Sequence, residues 1–147
     1  MIRVALAVAA LTLAVPISAE SEAVVTTIIA SADYIDLLPG QSVIFMPQGG
    51  KMTMIRIVEG KMEPMEGELS LSFGNMMGQT SLIATSKSDK AYHYRAEILK
   101  KPGAKKGKPT SVCTIIAGGG AFETWPYAIA AIRVKEFTPA GNEMACR

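Results

Sequence analysis

Glu66-Gly67-Glu68-Leu69-Ser70-Leu71-Ser72-Phe73 alternates residue by residue between two kinds of side chain. Successive side chains of a strand point to opposite faces, so a period of two predicts Gly67, Leu69, Leu71 and Phe73 on a buried face and Glu66, Glu68, Ser70 and Ser72 on a wet one. Tyr92, Tyr94, Ala96 and Ile98 repeat the pattern against His93, Arg95 and Glu97. Working outward, β-rich runs recur between Gly, Pro, Asn and Lys clusters, and helical periodicity is nearly absent. Strands are expected near residues 23–31, 34–38, 41–46, 51–59, 66–73, 80–87, 91–100, 110–117 and 126–137. Tyr127 to Ile132 is apolar without alternation, as in a central strand covered on both faces. Leu38-Pro39-Gly40-Gln41 and Gln48-Gly49-Gly50-Lys51 read as tight turns joining antiparallel neighbours, because Pro presets one dihedral and Gly permits positive φ. The expected fold is an all-β, antiparallel β-sandwich, immunoglobulin-like or related, of about 7–9 strands in a single domain. A transmembrane barrel fits less well, since the mixed strand faces leave no continuous lipid-facing apolar band.

The first nineteen residues read as an export signal. Arg3 supplies a positive n-region, Val4 to Val15 an uncharged apolar run, Pro16 a break, and Ile17-Ser18-Ala19 a cleavage site before Glu20. The apolar run falls short of the roughly 20 residues that cross a bilayer. The predicted organisation is a signal peptide over 1–19 and a β-sandwich domain over 20–147, located outside the cytoplasm, periplasmic or secreted. Cys113 and Cys146 are the only cysteines. An even count in an exported chain predicts a disulfide, worth roughly 3 to 4 kcal/mol for a loop of about 34 residues. No Cys-x-x-Cys spacing suggests redox chemistry. Loss of Arg3 with the signal leaves 14 basic residues against 13 acidic ones, a balance too even for the whole-domain field to attract polyanions.

Seven of the nine methionines fall between positions 46 and 77. Met62 and Met65, in the segment 59–67, and Met76 and Met77, in 74–78, read as hairpin-tip residues forming adaptable apolar contacts for a protein or envelope partner. The alternative is a soft metal: a regular strand projects the sulfurs of Met52 and Met54 from one face, and thioether sulfur suits Cu(I) or Ag(I). Lys51-Met52-Thr53-Met54 resembles the Met-x-Met element of the small periplasmic copper chaperone of the Cus efflux system, itself a β-barrel. The family's nearby His and Trp have no counterparts, because the only His is His93 and the only Trp is Trp125.

Local charge is uneven. Residues 100–109 carry five lysines, including Lys101, Lys105 and Lys106, and no acid. They read as a solvated hairpin loop able to meet an anionic surface. Absent interleaved aromatics argue against nucleic acid. Gly118-Gly119-Gly120 reads as a turn or bulge, and Trp125 as core. His93 reads as a surface histidine, and no nucleophile, base and oriented partner can be assembled. The expectation is a non-enzymatic binding or structural module with no cofactor and loop contacts to an unknown partner. A Cu(I) carrier using Met52 and Met54 is second, and a small hydrolase or lectin third.

Overall fold

The computed structural model describes residues 23–147. The expected signal peptide, 1–19, lies outside the described residues. Ten strands form: β1 (Val24–Ala32), β2 (Tyr34–Leu37), β3 (Gln41–Gln48), β4 (Lys51–Glu59), β5 (Leu69–Met76), β6 (Gln79–Ser86), β7 (Ala91–Leu99), β8 (Lys108–Thr110), β9 (Gly120–Trp125) and β10 (Ala131–Ala140). A six-stranded sheet runs β1-β4-β3-β5-β6-β9 and a four-stranded sheet runs β2-β10-β7-β8. All strand pairings are antiparallel. The all-β, two-sheet reading holds, with one strand more than the upper expectation.

The inner faces share one core. Leu69, Leu71 and Phe73 supply it from β5, and Tyr92, Tyr94 and Ala96 from β7, so both alternation patterns point their apolar sides inward. Phe137 lies at the centre, with ring centres 4.6 Å from Phe45 edge-on and 5.3 Å from Tyr94 in a stack. Trp125 is buried as expected, its indole N–H donating to Thr110 Oγ1 at 2.9 Å.

The turns form where Pro and Gly announce them. Gln41 N–H donates to the Leu38 carbonyl at 3.0 Å with Gly40 at φ 91°. Gly49 and Gly50 both have positive φ between β3 and β4, the conformation that matches the twist of flanking strands.

Other expectations need correction. Strand 110–117 does not form as a unit: β8 ends at Thr110, and Cys113 and Ile115 make isolated bridges to Cys146 and Tyr92. Strand 126–137 begins only at Ala131, and Tyr127 is half exposed in the connection before it. The unexpected β9 depends on Gly120, where a Cβ would lie 2.1 Å from the Ala84 carbonyl oxygen of β6. Glycine there permits the close pairing that makes β9 the sheet edge.

Glu68 and Ser70 are buried rather than wet, because a chain segment covers them. β4 and β5 both pair with β3, so the connection between them crosses over β3 instead of forming the expected hairpin at 59–67. Ser42 Oγ donates to the Gly60 carbonyl at 2.5 Å as the segment leaves β4. Glu68 receives Arg56 Nη2 at 2.7 Å and the Met65 N–H at 2.9 Å as it enters β5. Ser42, Ile44 and Ser70 are thereby sealed on the outer face.

The disulfide joins Cys113 to Cys146. Around it, Val112 and Arg147 exchange two N–H to carbonyl bonds at 2.9 Å, and Thr114 N–H donates to Ala145. The final residues thus pair alongside 112–114.

Phe137 and Phe122 test the inside and outside assignment. Phe137→Ala is expected to cost about 3 to 5 kcal/mol in urea unfolding, and Phe122→Ala, on β9 and 62% exposed, less than about 0.5 kcal/mol. Equal losses would contradict the assignment.

Candidate functional site

The residues brought together are decided by the ends of the strands. Leu37 of β2 pairs with Ile132 and Leu99 of β7 with Ala131, so the β2–β3 turn, the lysine connection and the start of β10 share one end of the sandwich. Gly40 N–H donates to the Phe73 carbonyl at 2.8 Å. Asn75 Nδ2 reaches the Ile129 carbonyl at 3.5 Å. These bonds bring the β5–β6 tip to the same end. Lys101, Lys105, Lys106, Met76 and Met77 therefore lie on one end, with Leu38 and Tyr127.

The lysine connection is not a free loop. Arg133, the one charged residue between Tyr127 and Val134, projects from β10 onto the outer face of the smaller sheet. Its Nε and Nη2 bond Asp36 Oδ1 and Oδ2 at 2.7 and 2.9 Å, and its guanidinium carbon sits 4.2 Å from the Tyr34 ring centre. Nη2 also donates to the Ala104 carbonyl at 3.0 Å and Nη1 to the Lys105 carbonyl at 3.5 Å. The Asp36 hydrogen bond, stronger than the opposing burial, raises the Arg133 pKa. Planar guanidinium geometry suits this work, since one end grips a carboxylate while the remaining N–H groups collect carbonyls. The returning chain closes on β7 at Gly107, where a Cβ would lie 2.7 Å from Glu97 Cβ and 2.8 Å from Leu99 Cδ2.

Between connection and sheet lies a concavity of about 550 Å³ lined by Ile98, Ala104 and the lysines 100, 101, 106 and 108. Its lining has no carboxylate. The ion pairs among the described residues belong to Lys51, Arg56, Arg95, Arg133 and Lys135, leaving the five lysines of 100–108 unneutralised.

A second groove, of about 590 Å³, runs between β7, β10 and residues 109–112. Its charges largely cancel: Lys135 pairs with Glu97 at 2.5 Å and Arg95 with Glu136 at 3.0 Å. His93 is not a plain surface histidine, because its Nδ1 lies 3.2 Å from Thr114 Oγ1, which donates to the Ala145 carbonyl at 3.0 Å. These residues brace the C-terminal pairing. Nearby, Glu123 accepts the Cys113 N–H at 2.6 Å. Partial burial raises the Glu123 pKa while that hydrogen bond pulls it down. The Tyr94 hydroxyl is buried with no hydrogen-bond partner among the described residues, and burial, then the Glu123 charge, drive its pKa far upward.

The methionines divide. Met76 and Met77 are 75% and 96% exposed at the tip, where Met77 and Gly78 adopt φ 53° and 78°. Met62 is half-buried in the crossover, and Met65 lies toward the opposite end, where β5 begins. Met52 is fully buried in the core, whereas Met54 is exposed with φ 52°. The irregular register between β3 and β4 around these residues changes the phase of the alternation. Met52 and Met54 are therefore not side by side on one face.

Arg133 and Asp36 escaped the sequence reading, although a lone charge inside an apolar run was a visible signal for Arg133. No protein-family model, curated protein or solved structure matches the chain.

Arg133→Met is expected to cost about 3 kcal/mol, by leaving Asp36 unpaired, and to speed tryptic cleavage within 100–108 under native conditions. Unchanged cleavage would show that Arg133 does not hold the connection. For Glu123, a folded pKa above the unfolded value means its proton is bound more tightly in the folded state. Its stabilising contribution is full below the ordinary value of 4.5 and is lost as pH rises through the raised value. The stability of wild type relative to Glu123→Gln should accordingly fall as pH rises above the ordinary carboxyl value of 4.5; urea titrations showing a constant difference would refute this.

Proposed function

We propose that the chain is an exported, non-catalytic binding module that holds an anionic component of the cell envelope through the lysine connection. The observation that carries this reading is the set of five unneutralised lysines over 100–108, four of them lining a concavity fixed by Arg133. Loops with many like charges ordinarily stay solvated and mobile because they repel themselves. Here the protein uses a buried arginine to hold such a loop against a sheet. That concentrates positive charge at one place in a domain whose overall charge is nearly balanced.

Export is part of the proposal and rests on the signal-like residues 1–19, with the Cys113–Cys146 disulfide as its support, since disulfides persist in oxidising compartments. The two antiparallel sheets support placing the domain among immunoglobulin-like or related sandwiches. No observation favours the Cu(I) reading, given the separation of Met52 from Met54.

Protein recovered from its native cell should begin near Glu20 and resist thiol alkylation until reduced. It should co-sediment with native envelope fragments, release as salt rises from about 0.05 to 0.5 M, and lose most binding in the combined Lys101→Ala, Lys105→Ala, Lys106→Ala variant. Salt-insensitive binding, or full binding by that variant, would overturn the proposal.

A further inference from the structure

We infer that the partner is an anionic lipid bilayer, docked by the end of the sandwich that carries both the lysine connection and the Met76-Met77 tip. This inference rests on the anion-binding reading above and names its partner.

The tip is built for exposure. Met76 pairs with Gln79 as the last rung of the β5–β6 ladder, and Met77 and Gly78 close the turn in left-handed conformations. Left-handed backbone is disfavoured for a methionine, and Met77, at 96% exposed, gains no burial in return. Behind the tip, Thr80 Oγ1 donates to the Tyr127 carbonyl at 2.8 Å and receives the Ile129 N–H at 3.0 Å. The β9–β10 connection is thus tied to the hairpin, presenting Tyr127 at 50% exposure, while Leu38 is 36% exposed in the β2–β3 turn.

Among the described residues, charge at this end is mainly positive. Asp36 is held by Arg133, whereas Glu59 accepts Gln41 Nε2 at 3.0 Å and keeps its charge. Glu63 in the crossover, like Lys61 two positions before it, is exposed and makes no ion pair among the described residues. Against these stand the five lysines of 100–108.

A polyanion such as an acidic polysaccharide would satisfy the lysines but offers no apolar phase for two methionines. An anionic bilayer supplies both: phosphates for a lysine-lined concavity, and a headgroup–acyl boundary for flexible thioether side chains and a phenol ring. The contact proposed is peripheral, made by side chains at one end of the sandwich; no helix among the described residues is long and apolar enough to cross a membrane.

The test uses protein purified after export and sucrose-loaded vesicles, either phosphatidylcholine alone or an equal mixture with phosphatidylglycerol. Binding is expected to the mixed vesicles and not to phosphatidylcholine. The triple lysine variant should bind about a hundredfold more weakly, and Met76→Ser with Met77→Ser about tenfold more weakly. Met65→Ser, at the other end, should bind as wild type, and all variants should keep the wild-type circular dichroism. Undiminished vesicle binding by the tip variant would overturn the inference. So would loss of vesicle binding with retained, lysine-dependent binding to envelope fragments, which would identify a non-lipid polyanion and leave the proposed function standing. Absence of binding to both would overturn both.

Discussion

The guanidinium of Arg133 is the interaction on which the candidate site depends. It is 7% exposed and serves three parts of the chain: Asp36 and Tyr34 of β2, its own strand β10, and the carbonyls of Ala104 and Lys105. A charge so enclosed must be compensated, and the bidentate carboxylate does this at 2.7 and 2.9 Å. The carbonyls then use its remaining donors. A lysine-rich segment that would otherwise repel itself is held by its backbone, so that its lysine side chains make no ion pair among the described residues.

The larger sheet repeats the device. The part of its outer face around Ser42, Ile44 and Ser70 is covered by the β4–β5 crossover, fastened by Arg56 to Glu68 at 2.7 Å and by Ser42 to Gly60. Irregular segments laid over a sheet carry backbone groups that need partners. In both layers a partly or fully buried arginine–carboxylate pair lies beneath the covering chain. The inner faces are conventional by comparison, an apolar core centred on Phe137 between Phe45 and Tyr94. Fold stability comes from that core and from the disulfide, whereas the positions of the loops come from polar anchors on the outside.

This division explains what could be read from the sequence. Leu69, Leu71 and Phe73 were legible because strand alternation is local, and the disulfide because only two cysteines exist. The hairpin tip at Met76 and Met77 was legible from its flanking glycines. Glu68 was misread because the chain segment that covers it and the Arg56 that pairs with it come together only in the assembled sheet. The segment 59–67 looked like a hairpin because the sequence does not show that β5 pairs beyond β3. β9 was missed because Gly118-Gly119-Gly120 signals a turn, while the close approach of Gly120 to Ala84 is a property of the assembled sheet. Met52 and Met54 obeyed a regular alternation on paper that the local irregularity at Met54 interrupts. The lysine cluster was plain in sequence, but its attachment to Arg133 spans nearly thirty residues and follows only from the strand order.

The proposed function uses the same geometry. The basic concavity and the apolar tip lie at one end because β5–β6, β7–β8 and β9–β10 all turn there. The most direct measurement is a methyl and amide NMR titration of the protein with anionic phosphatidylglycerol bicelles. Perturbations confined to the Met76 and Met77 methyls and the amides of 100–108, with Met54 and Met65 unchanged, are the predicted result. Shifts centred on the opposite end, or none at bicelle concentrations that saturate a lysine-rich control peptide, would contradict it.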